Sequence, residues 1–314
     1  MTQYIVQKNR DINKGEHMGL GSCLESNFNN LLNNCKCSGI NEVCLFNTLK
    51  VSFEQLNSQF YRAKVIHSNA KSGTTFDMED SFLSFNPKNK PSNNGYFNDI
   101  TTELADLLLV TYSPKRHTAK ITFMQNKYER QYKYDDKFYL NVLQLYLLKC
   151  KPYIKRSKIP FVRGNFLNSA KLPSICSYGV FYKGNNSYNM NYYRADLIDI
   201  NGAPYKTDSK KLPFNGGINF LEKINNELDL QGCHGLMDFG NALEDFYVGS
   251  PISYRQKKIL CKSFPDAPKD FVEMEVLAED NDEYYSDNIL SKNNINVVFV
   301  CVDKQNDKRE DLMK

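Results

Sequence analysis

Two apolar runs separated by a short polar link constrain the fold of this chain more than any other feature. The runs read LADLLLVTY (104–112) and AKITFMQNKY (119–128), and the link between them reads SPKRHT (113–118). Short runs that are rich in branched and aromatic residues, joined by a few polar residues, are typical of a β-hairpin. The sequence therefore predicts two antiparallel strands over 104–128.

This hairpin also carries polar side chains, and its register predicts where they lie. If Tyr112 pairs with Ala119, then Asp106 lies directly across from Gln125, because facing residues have numbers that add up to 231. Facing residues share one side of the sheet, with Cβ atoms roughly 4.5–5.5 Å apart. Lys127 is two residues beyond Gln125 and points to the same side. A slip of one residue would separate Asp106 from Gln125.

The predicted cluster allows two interpretations. A carboxylate and an amide oxygen a few ångströms apart can hold Mg²⁺, which prefers oxygen ligands and keeps several waters. Such a metal polarises a phosphoryl oxygen and lowers the pKa of a bound water, and a lysine beside it offsets phosphate charge. The alternative is a structural ion pair between Asp106 and Lys127 at the edge of a sheet. The spacing alone leaves both interpretations open.

The remaining patterns indicate an α/β fold with a mixed central β-sheet flanked by helices. Apolar periodicity predicts helices over 19–34, 52–66, 138–149, 218–228 and 240–249, and strands over 174–183, 191–200 and 294–304. A chain of 314 residues can bury a sizeable core as one large domain or as two. We expect residues 1–165 to hold the core. Residues 166–314 would complete the sheet and carry specificity or dimer contacts.

Charge is informative locally. The chain has 40 basic and 36 acidic residues, which permits nucleic-acid binding without requiring it. Between residues 149 and 163 the sequence has no acid, and aromatic residues accompany its cations. Such a stripe fits phosphate contact and base stacking, although a solvated connector is the alternative. The candidate phosphate contacts are Lys149, Lys151, Lys155, Arg156, Lys158 and Arg163.

The sequence also predicts a cytoplasmic protein. No apolar run reaches transmembrane length, and the polar N-terminus does not resemble a signal peptide. Nine cysteines without an export signal are typical of reduced, mostly buried thiols. The group Cys35, Cys37 and Cys44 lacks the paired C-x-x-C spacing of strong zinc sites.

The hairpin resembles the core motif of the PD-(D/E)XK nuclease superfamily, which includes most restriction endonucleases. The family pattern has an acid early in one strand and acid-x-Lys in the next. A helix carrying Glu precedes these strands, and another helix follows them. Asp106 matches the first acid, QNK (125–127) takes the place of acid-x-Lys, and Glu25 falls in the upstream helix. The helix 138–149 with Gln144 matches the following one. The resemblance covers roughly residues 19 to 150.

This resemblance implies a Mg²⁺-dependent endonuclease that hydrolyses DNA phosphodiester bonds in a type II restriction or phage-defence system. The implied metal ligands are Asp106, Gln125 and Glu103. Lys127 would position or activate the attacking water, and Glu25 would give outer support. The implied partners are double-stranded DNA, a second copy of the chain and a cognate methyltransferase acting on the same DNA site.

The neutral Gln125 departs from the family pattern, because it stands where most members have an acid. Glu129 or Glu103 is then an alternative metal ligand. Two other functions also stay open. One is a catalytically inactive, nuclease-like protein that binds DNA, and the other is a structural or interaction protein.

Overall fold

The structure of this protein is a computed structural model. It describes residues 4–5, 18–35, 39–58, 61–68, 73–76, 100–130, 136–157, 159, 162–184, 187–200, 209–276 and 295–303. Within these ranges, helices cover both faces of a mixed sheet.

The described residues include six α-helices and sixteen strands. The helices are α1 (Leu20–Asn33), α2 (Glu42–Glu54), α3 (Val142–Cys150), α4 (Leu236–Glu244), α5 (Tyr254–Ser263) and α6 (Lys269–Glu273). The strands of the first half are β1 (Tyr4–Ile5), β2 (Arg62–Ile66), β3 (Thr74–Phe76), β4 (Ile100–Thr102), β5 (Leu107–Ser113), β6 (Thr118–Glu129), β7 (Lys137–Asn141) and β8 (Ile154–Ser157). Those of the second half are β9 (Cys176–Lys183), β10 (Tyr188–Arg194), β11 (Ser209–Pro213), β12 (Phe220–Ile224), β13 (Glu227–Leu230), β14 (Gly232–Cys233), β15 (Ser250–Pro251) and β16 (Asn296–Cys301).

The central sheet has eight strands in the order β14-β10-β9-β6-β5-β16-β2, and β15 pairs with β6 outside this path. The pairs β6–β9 and β5–β16 are parallel, while the other pairs are antiparallel. The mixed central sheet flanked by helices predicted from the sequence is therefore confirmed. Strands from both sides of residue 165 interleave in it, since β16 lies between β5 and β2.

Alternate residues of the strands pack into two separate cores. Leu107 and Leu109 of β5 pack with residues of α1, α2 and α4. Leu108 and Val110 pack on the opposite side with residues of α3, α5 and α6. Both faces of β5 are therefore covered, as expected for a strand with a parallel neighbour. This double burial explains its unbroken apolar sequence.

The β5–β6 hairpin confirms the predicted pairing. Tyr112 pairs with Ala119 and Leu107 with Met124. The strands begin and end within a few residues of the predicted bounds. The predicted helix over 19–34 and the predicted strands over 174–183 and 294–304 are also found, as α1, β9 and β16.

Two predicted helices are wrong, for different physical reasons. The helix over 52–66 contains the end of α2 and then β2, because Arg62–Ile66 pairs with β16 instead of continuing the helix. The helix over 218–228 is the hairpin β12–β13. Its turn residues Asn225 and Asn226 both have positive φ, at 49° and 65°. Two consecutive positive φ angles are the geometry of a tight type I′ hairpin turn, which asparagine tolerates.

Three further predictions are right only in part. The predicted helix over 138–149 begins as β7, and α3 starts at Val142. The predicted strand over 191–200 ends at Arg194, and Ala195–Leu197 form a 3₁₀ turn. The predicted helix over 240–249 overlaps the end of α4, which stops at Glu244.

Among the described residues, three smaller sheets accompany the central one, and one of them is β1-β12-β13. Strand β3 is the middle strand of the sheet β4-β3-β8, and β7 pairs with β11. Strand β4 ends four residues before Asp106, and β8 follows α3 after three residues. The sheet β4-β3-β8 is therefore joined to the hairpin region by two short connections.

Cysteines and hydropathy bear on the predicted cellular location. Seven described cysteines are thiols, and four of them are buried: Cys23, Cys176, Cys233 and Cys301. Cys35 is disulfide-bonded, which departs from the expectation that all nine are reduced. Among the described residues, no helix combines the length and apolar character needed to cross a membrane.

A buried arginine ties the central sheet to the β12–β13 hairpin. Arg194 is 2% exposed and forms ion pairs with Asp196 at 2.8 Å, Glu222 at 2.9 Å and Asp229 at 3.1 Å. Asp229 is fully buried and also accepts a hydrogen bond from the backbone N–H of Ser174. Burial raises the pKa of Asp229 from 3.8 to about 6, although the Arg194 guanidinium opposes this rise.

The raised pKa predicts a pH dependence of stability. The folded protein holds the Asp229 proton more tightly than the unfolded chain, so this stabilisation is complete below about pH 4. It is lost as pH rises through about 6. Urea unfolding should therefore show wild type losing free energy of unfolding relative to Asp229→Asn as pH rises across this window. The exposed Asn30→Ala control should keep a constant difference from wild type, and a constant difference for Asp229→Asn would contradict the prediction.

Candidate active site around Asp106

Asp106 lies immediately before β5, and its carboxylate meets the facing strand. Its Oδ2 accepts a hydrogen bond from Gln125 Nε2 at 2.6 Å and another from the backbone N–H of Asn126 at 2.7 Å. The predicted contact between Asp106 and Gln125 is thus present. It follows from the hairpin register, which places these residues opposite each other.

A chain of side-chain amides continues from this contact. Gln125 Oε1 accepts from Gln144 Nε2 at 2.6 Å, and the same nitrogen donates to the carbonyl of Glu103 at 3.3 Å. A carboxylate and a backbone carbonyl can only accept hydrogen bonds. The two ends of the chain therefore fix its direction, with the Gln125 nitrogen toward Asp106 and its oxygen toward Gln144. Both glutamines are buried, so each bond replaces lost hydration.

Lys127 faces a glutamate that the sequence analysis did not single out. Its Nζ lies 3.7 Å from Glu42 Oε1, and Glu42 Oε2 accepts from the backbone N–H of Tyr128 at 3.1 Å. Glu42 is the first residue of α2, whose N-terminus is capped by Asn41 accepting from Cys44 N at 2.9 Å. The cap fixes where the helix starts, and the start brings Glu42 to the end of β6.

The electrostatics of Asp106 reflect these neighbours. Burial raises the pKa of Asp106, and the negative charge of Glu42 raises it further. The N–H of Asn126, the Lys127 ammonium and the Gln125 amide lower the pKa of Asp106. The net result is a pKa of Asp106 above the ordinary value of an aspartate. A carboxylate that is hard to ionise is stabilised in its charged form by any added cation.

Asn296 fixes the backbone of Asp106 from the other side. Its Nδ2 donates to the carbonyl of Asp106 at 3.2 Å. Its Oδ1 accepts from Lys50 Nζ and from the backbone N–H of Ser68, both at 3.2 Å. Lys50 is largely buried on α2, and burial lowers its pKa while Glu54 and Asp106 oppose that change. Asn296 therefore links α2, β2, β5 and β16 beside the carboxylate.

Glu25 is not brought to Asp106. Its carboxylate accepts from Asn189 Nδ2 at 3.1 Å, on β10. Asn189 is level with Tyr182 of β9, which is level with Glu129 of β6. Two strand spacings and four residues along the strand separate that position from Gln125, roughly 15 Å. The glutamate that meets the hairpin comes from α2, because α1 packs mainly on α4.

The other predicted ligands and phosphate contacts have varied surroundings. The described contact of Glu103 uses its backbone carbonyl, and Glu129 is buried at the end of β6. Lys149 Nζ donates to the carbonyl of Ile198, and Lys151 Nζ donates to that of Pro173. Lys155, Arg156 and Arg163 are exposed, whereas Lys158 lies outside the described residues.

The donor set around Asp106 can be compared with what Mg²⁺ needs. Both described hydrogen bonds to Asp106 end on Oδ2, and Glu42 is close enough to influence its pKa. Mg²⁺ is commonly held by one or two carboxylates and several waters, so the carboxylates of Asp106 and Glu42 are suitable types of ligand. Gln125 does not, because its amide nitrogen faces Asp106. Among the described residues, no group of three or more His, Cys, Asp or Glu side chains could share a metal.

The amide chain predicts a measurable coupling between Gln125 and Gln144. Replacing either residue with alanine leaves a buried partner unsatisfied, which should lower the free energy of unfolding by about 1–3 kcal/mol. The double variant should lose less free energy of unfolding than the two single variants together, with a coupling of about 1 kcal/mol in a double-mutant cycle. The distant pair Gln125 and Lys258 serves as control and should be additive. Additivity for Gln125 and Gln144 would contradict the chain.

Comparison with known proteins adds no assignment to this geometry. No family model, no curated protein and no solved structure matches the chain. The similarity to PD-(D/E)XK nucleases therefore depends on the sequence motif, and its functional meaning depends on the arrangement around Asp106.

Proposed function

We propose that this protein is a Mg²⁺-dependent DNA endonuclease of the PD-(D/E)XK type, acting in restriction or phage defence. The observation that carries the proposal is the convergence of Asp106, Gln125 and Lys127 at one end of the β5–β6 hairpin. Asp106 contacts Gln125 directly, and the Lys127 charge influences the pKa of Asp106. An ordinary structural ion pair would not require a buried amide chain behind the carboxylate.

The elements around the hairpin also agree with the family pattern. Helix α2 precedes it and supplies Glu42, while α3 follows it and supplies Gln144. After α3 and β8 the chain returns to the central sheet as β9, which pairs in parallel with β6. These relations support a restriction-endonuclease-like core in which Glu42 takes the place first expected for Glu25.

Each residue of the site has a role that its contacts suggest. Asp106 and Glu42 would hold the Mg²⁺. The bound ion would polarise a phosphoryl oxygen and lower the pKa of a water. Lys127, whose side chain is 21% exposed, is open to solvent and would offset negative charge on the phosphate or orient the water. Gln125 and Gln144 would hold the Asp106 carboxylate in place through their fixed amide chain.

The proposal extends to partners. Double-stranded DNA is the substrate, with exposed cations of the 149–163 segment as phosphate contacts. Cleavage of both strands uses two active sites, so a homodimer is part of the proposal by analogy with the family. A methyltransferase that protects the same DNA site would accompany a restriction enzyme.

One observation favours a second candidate, a nuclease-like DNA-binding protein without catalysis. Gln125 turns its nitrogen toward Asp106, so its oxygen is not directed to a metal beside that carboxylate. This arrangement leaves fewer oxygen ligands than the usual acid would. The two candidates differ in cleavage and agree in DNA binding.

Cleavage of unmethylated plasmid and phage DNA by the full chain in Mg²⁺ tests the proposal. Asp106→Asn and Lys127→Met should each lower the cleavage rate at least about 100-fold, because each removes a charge that acts on the phosphate or its metal. Glu42→Gln should also lower the rate. Glu25→Gln should leave it near wild type, and so should the exposed Lys258→Ala.

The alternatives predict other results. Cleavage that persists in both Asp106→Asn and Lys127→Met would contradict this site assignment. DNA binding without cleavage in wild type would favour the second candidate, a nuclease-like DNA-binding protein without catalysis. A wild-type protein that neither binds nor cleaves DNA would favour a structural or interaction role.

A further inference from the structure

A segment without acidic residues follows the hairpin, and it is far longer than the basic stretch 149–163. Residues 137–195 contain ten Lys or Arg and no Asp or Glu. The whole chain carries a net charge of +4, so the other 255 residues together carry −6. The net positive charge of this protein therefore lies in one segment, which includes α3, β8, β9 and β10. A charge balance of this kind suits a polyanionic partner.

Backbone pairing brings two parts of this segment together. Ile154 and Gly164 form an antiparallel bridge with two hydrogen bonds, each 2.9 Å long. The neighbours of this bridge in sequence are Tyr153 and Lys155 on one segment and Arg163 and Asn165 on the other. All four side chains are exposed, as is Arg156. The bridge thus brings two exposed stretches with basic residues close together.

Tyr153 stands out on this surface because it is a large aromatic side chain left 48% exposed. Gly164 adopts φ +63°, a conformation that side chains rarely allow, and the Tyr153 ring lies 3.6 Å from the position a Cβ would occupy there. The ring therefore packs over the glycine backbone while about half of the side chain stays exposed. Tyrosine hydroxyls and arginine and lysine side chains are common donors to DNA phosphates.

The connections of this surface place it near the proposed active site. It includes β8, which pairs with β3, and β3 pairs with β4. Strand β4 ends at Thr102, and four residues of chain span at most about 14 Å to Asp106. On its other side, α3 joins β8 to Gln144 of the amide chain.

We propose that Tyr153, Lys155, Arg156, Arg163 and Asn165 form a contact surface for the backbone of duplex DNA. This inference depends on the proposed function and deepens it by naming the residues that hold the substrate. Lys149 and Lys151 do not belong to the surface, because their ammonium groups donate to the carbonyls of Ile198 and Pro173. They stabilise the chain around α3.

Salt-dependent DNA binding tests the surface. The full chain would be titrated with a fluorescent 30-base-pair duplex in Ca²⁺ without Mg²⁺, at several salt concentrations. Each phosphate contact adds about 0.9 to the slope of log Kd against log salt, so Lys155→Ala/Arg163→Ala should lower that slope by about 2. Tyr153→Phe should weaken binding about 5-fold at a constant slope, because it removes one uncharged donor to phosphate.

The matched control is Lys258→Ala/Lys262→Ala, which removes two exposed charges from α5, outside the acid-free segment. It should keep the wild-type slope. Thermal unfolding of all variants checks that the exposed substitutions leave the fold intact. An equal fall in slope for control and surface variants would overturn the proposal, as would an unchanged slope in the surface variant.

Failure of this inference is distinguishable from failure of the proposed function. Wild type that cleaves DNA, together with surface variants that bind like wild type, overturns the surface alone. Wild type without DNA affinity overturns both. Stronger displacement by a single-stranded oligonucleotide than by duplex would overturn the assignment to duplex DNA.

Discussion

The burial of the Asp106 carboxylate is the constraint on which the candidate site depends. A carboxylate that leaves water needs hydrogen bonds or positive charge in place of its hydration. The β5–β6 register supplies both, because it brings the Gln125 amide and the Asn126 N–H to Oδ2 and places Lys127 two residues beyond. Another register would separate Asp106 from Gln125. The pairing of two apolar strands and the chemistry at their end are therefore linked.

Side chains far apart in sequence converge on this carboxylate for a related reason. Gln144 satisfies the oxygen of Gln125, and Asn296 satisfies the carbonyl of Asp106. Glu42 accepts from the backbone of β6 and balances Lys127. Each of these polar groups has the next one as its hydrogen-bond partner. Leaving one of them unpaired in an interior without water would be unfavourable. The network thus connects α2, α3 and β16 to the hairpin.

The parts of the fold that the sequence predicted well are those whose signal is local. Strands β5 and β16 and the first half of β6 are short stretches rich in apolar and β-branched residues, and this composition identifies them. The predicted helix over 218–228 is wrong, because the apolar spacing of this segment resembles that of a helix although it forms a hairpin. The conformation of Asn225 and Asn226 makes it a hairpin instead. The segment 52–66 changes from helix to strand at a point that β16 determines by pairing with Arg62–Ile66.

By itself the sequence indicated the hairpin and, on the assumption that Tyr112 pairs with Ala119, the meeting of Asp106 with Gln125, because these depend on neighbouring residues and on the two-residue period of a strand; the structure confirmed that register. Only the tertiary structure decided which glutamate faces Lys127. Glu25 and Glu42 both lie on helices before the hairpin, and helix packing carries one to β10 and the other to the end of β6. The same holds for Asn296, which is 190 residues from Asp106 and reaches it because β16 inserts beside β5. The period of the apolar residues predicts which face of a helix or strand is buried. It does not predict which other element packs against that face.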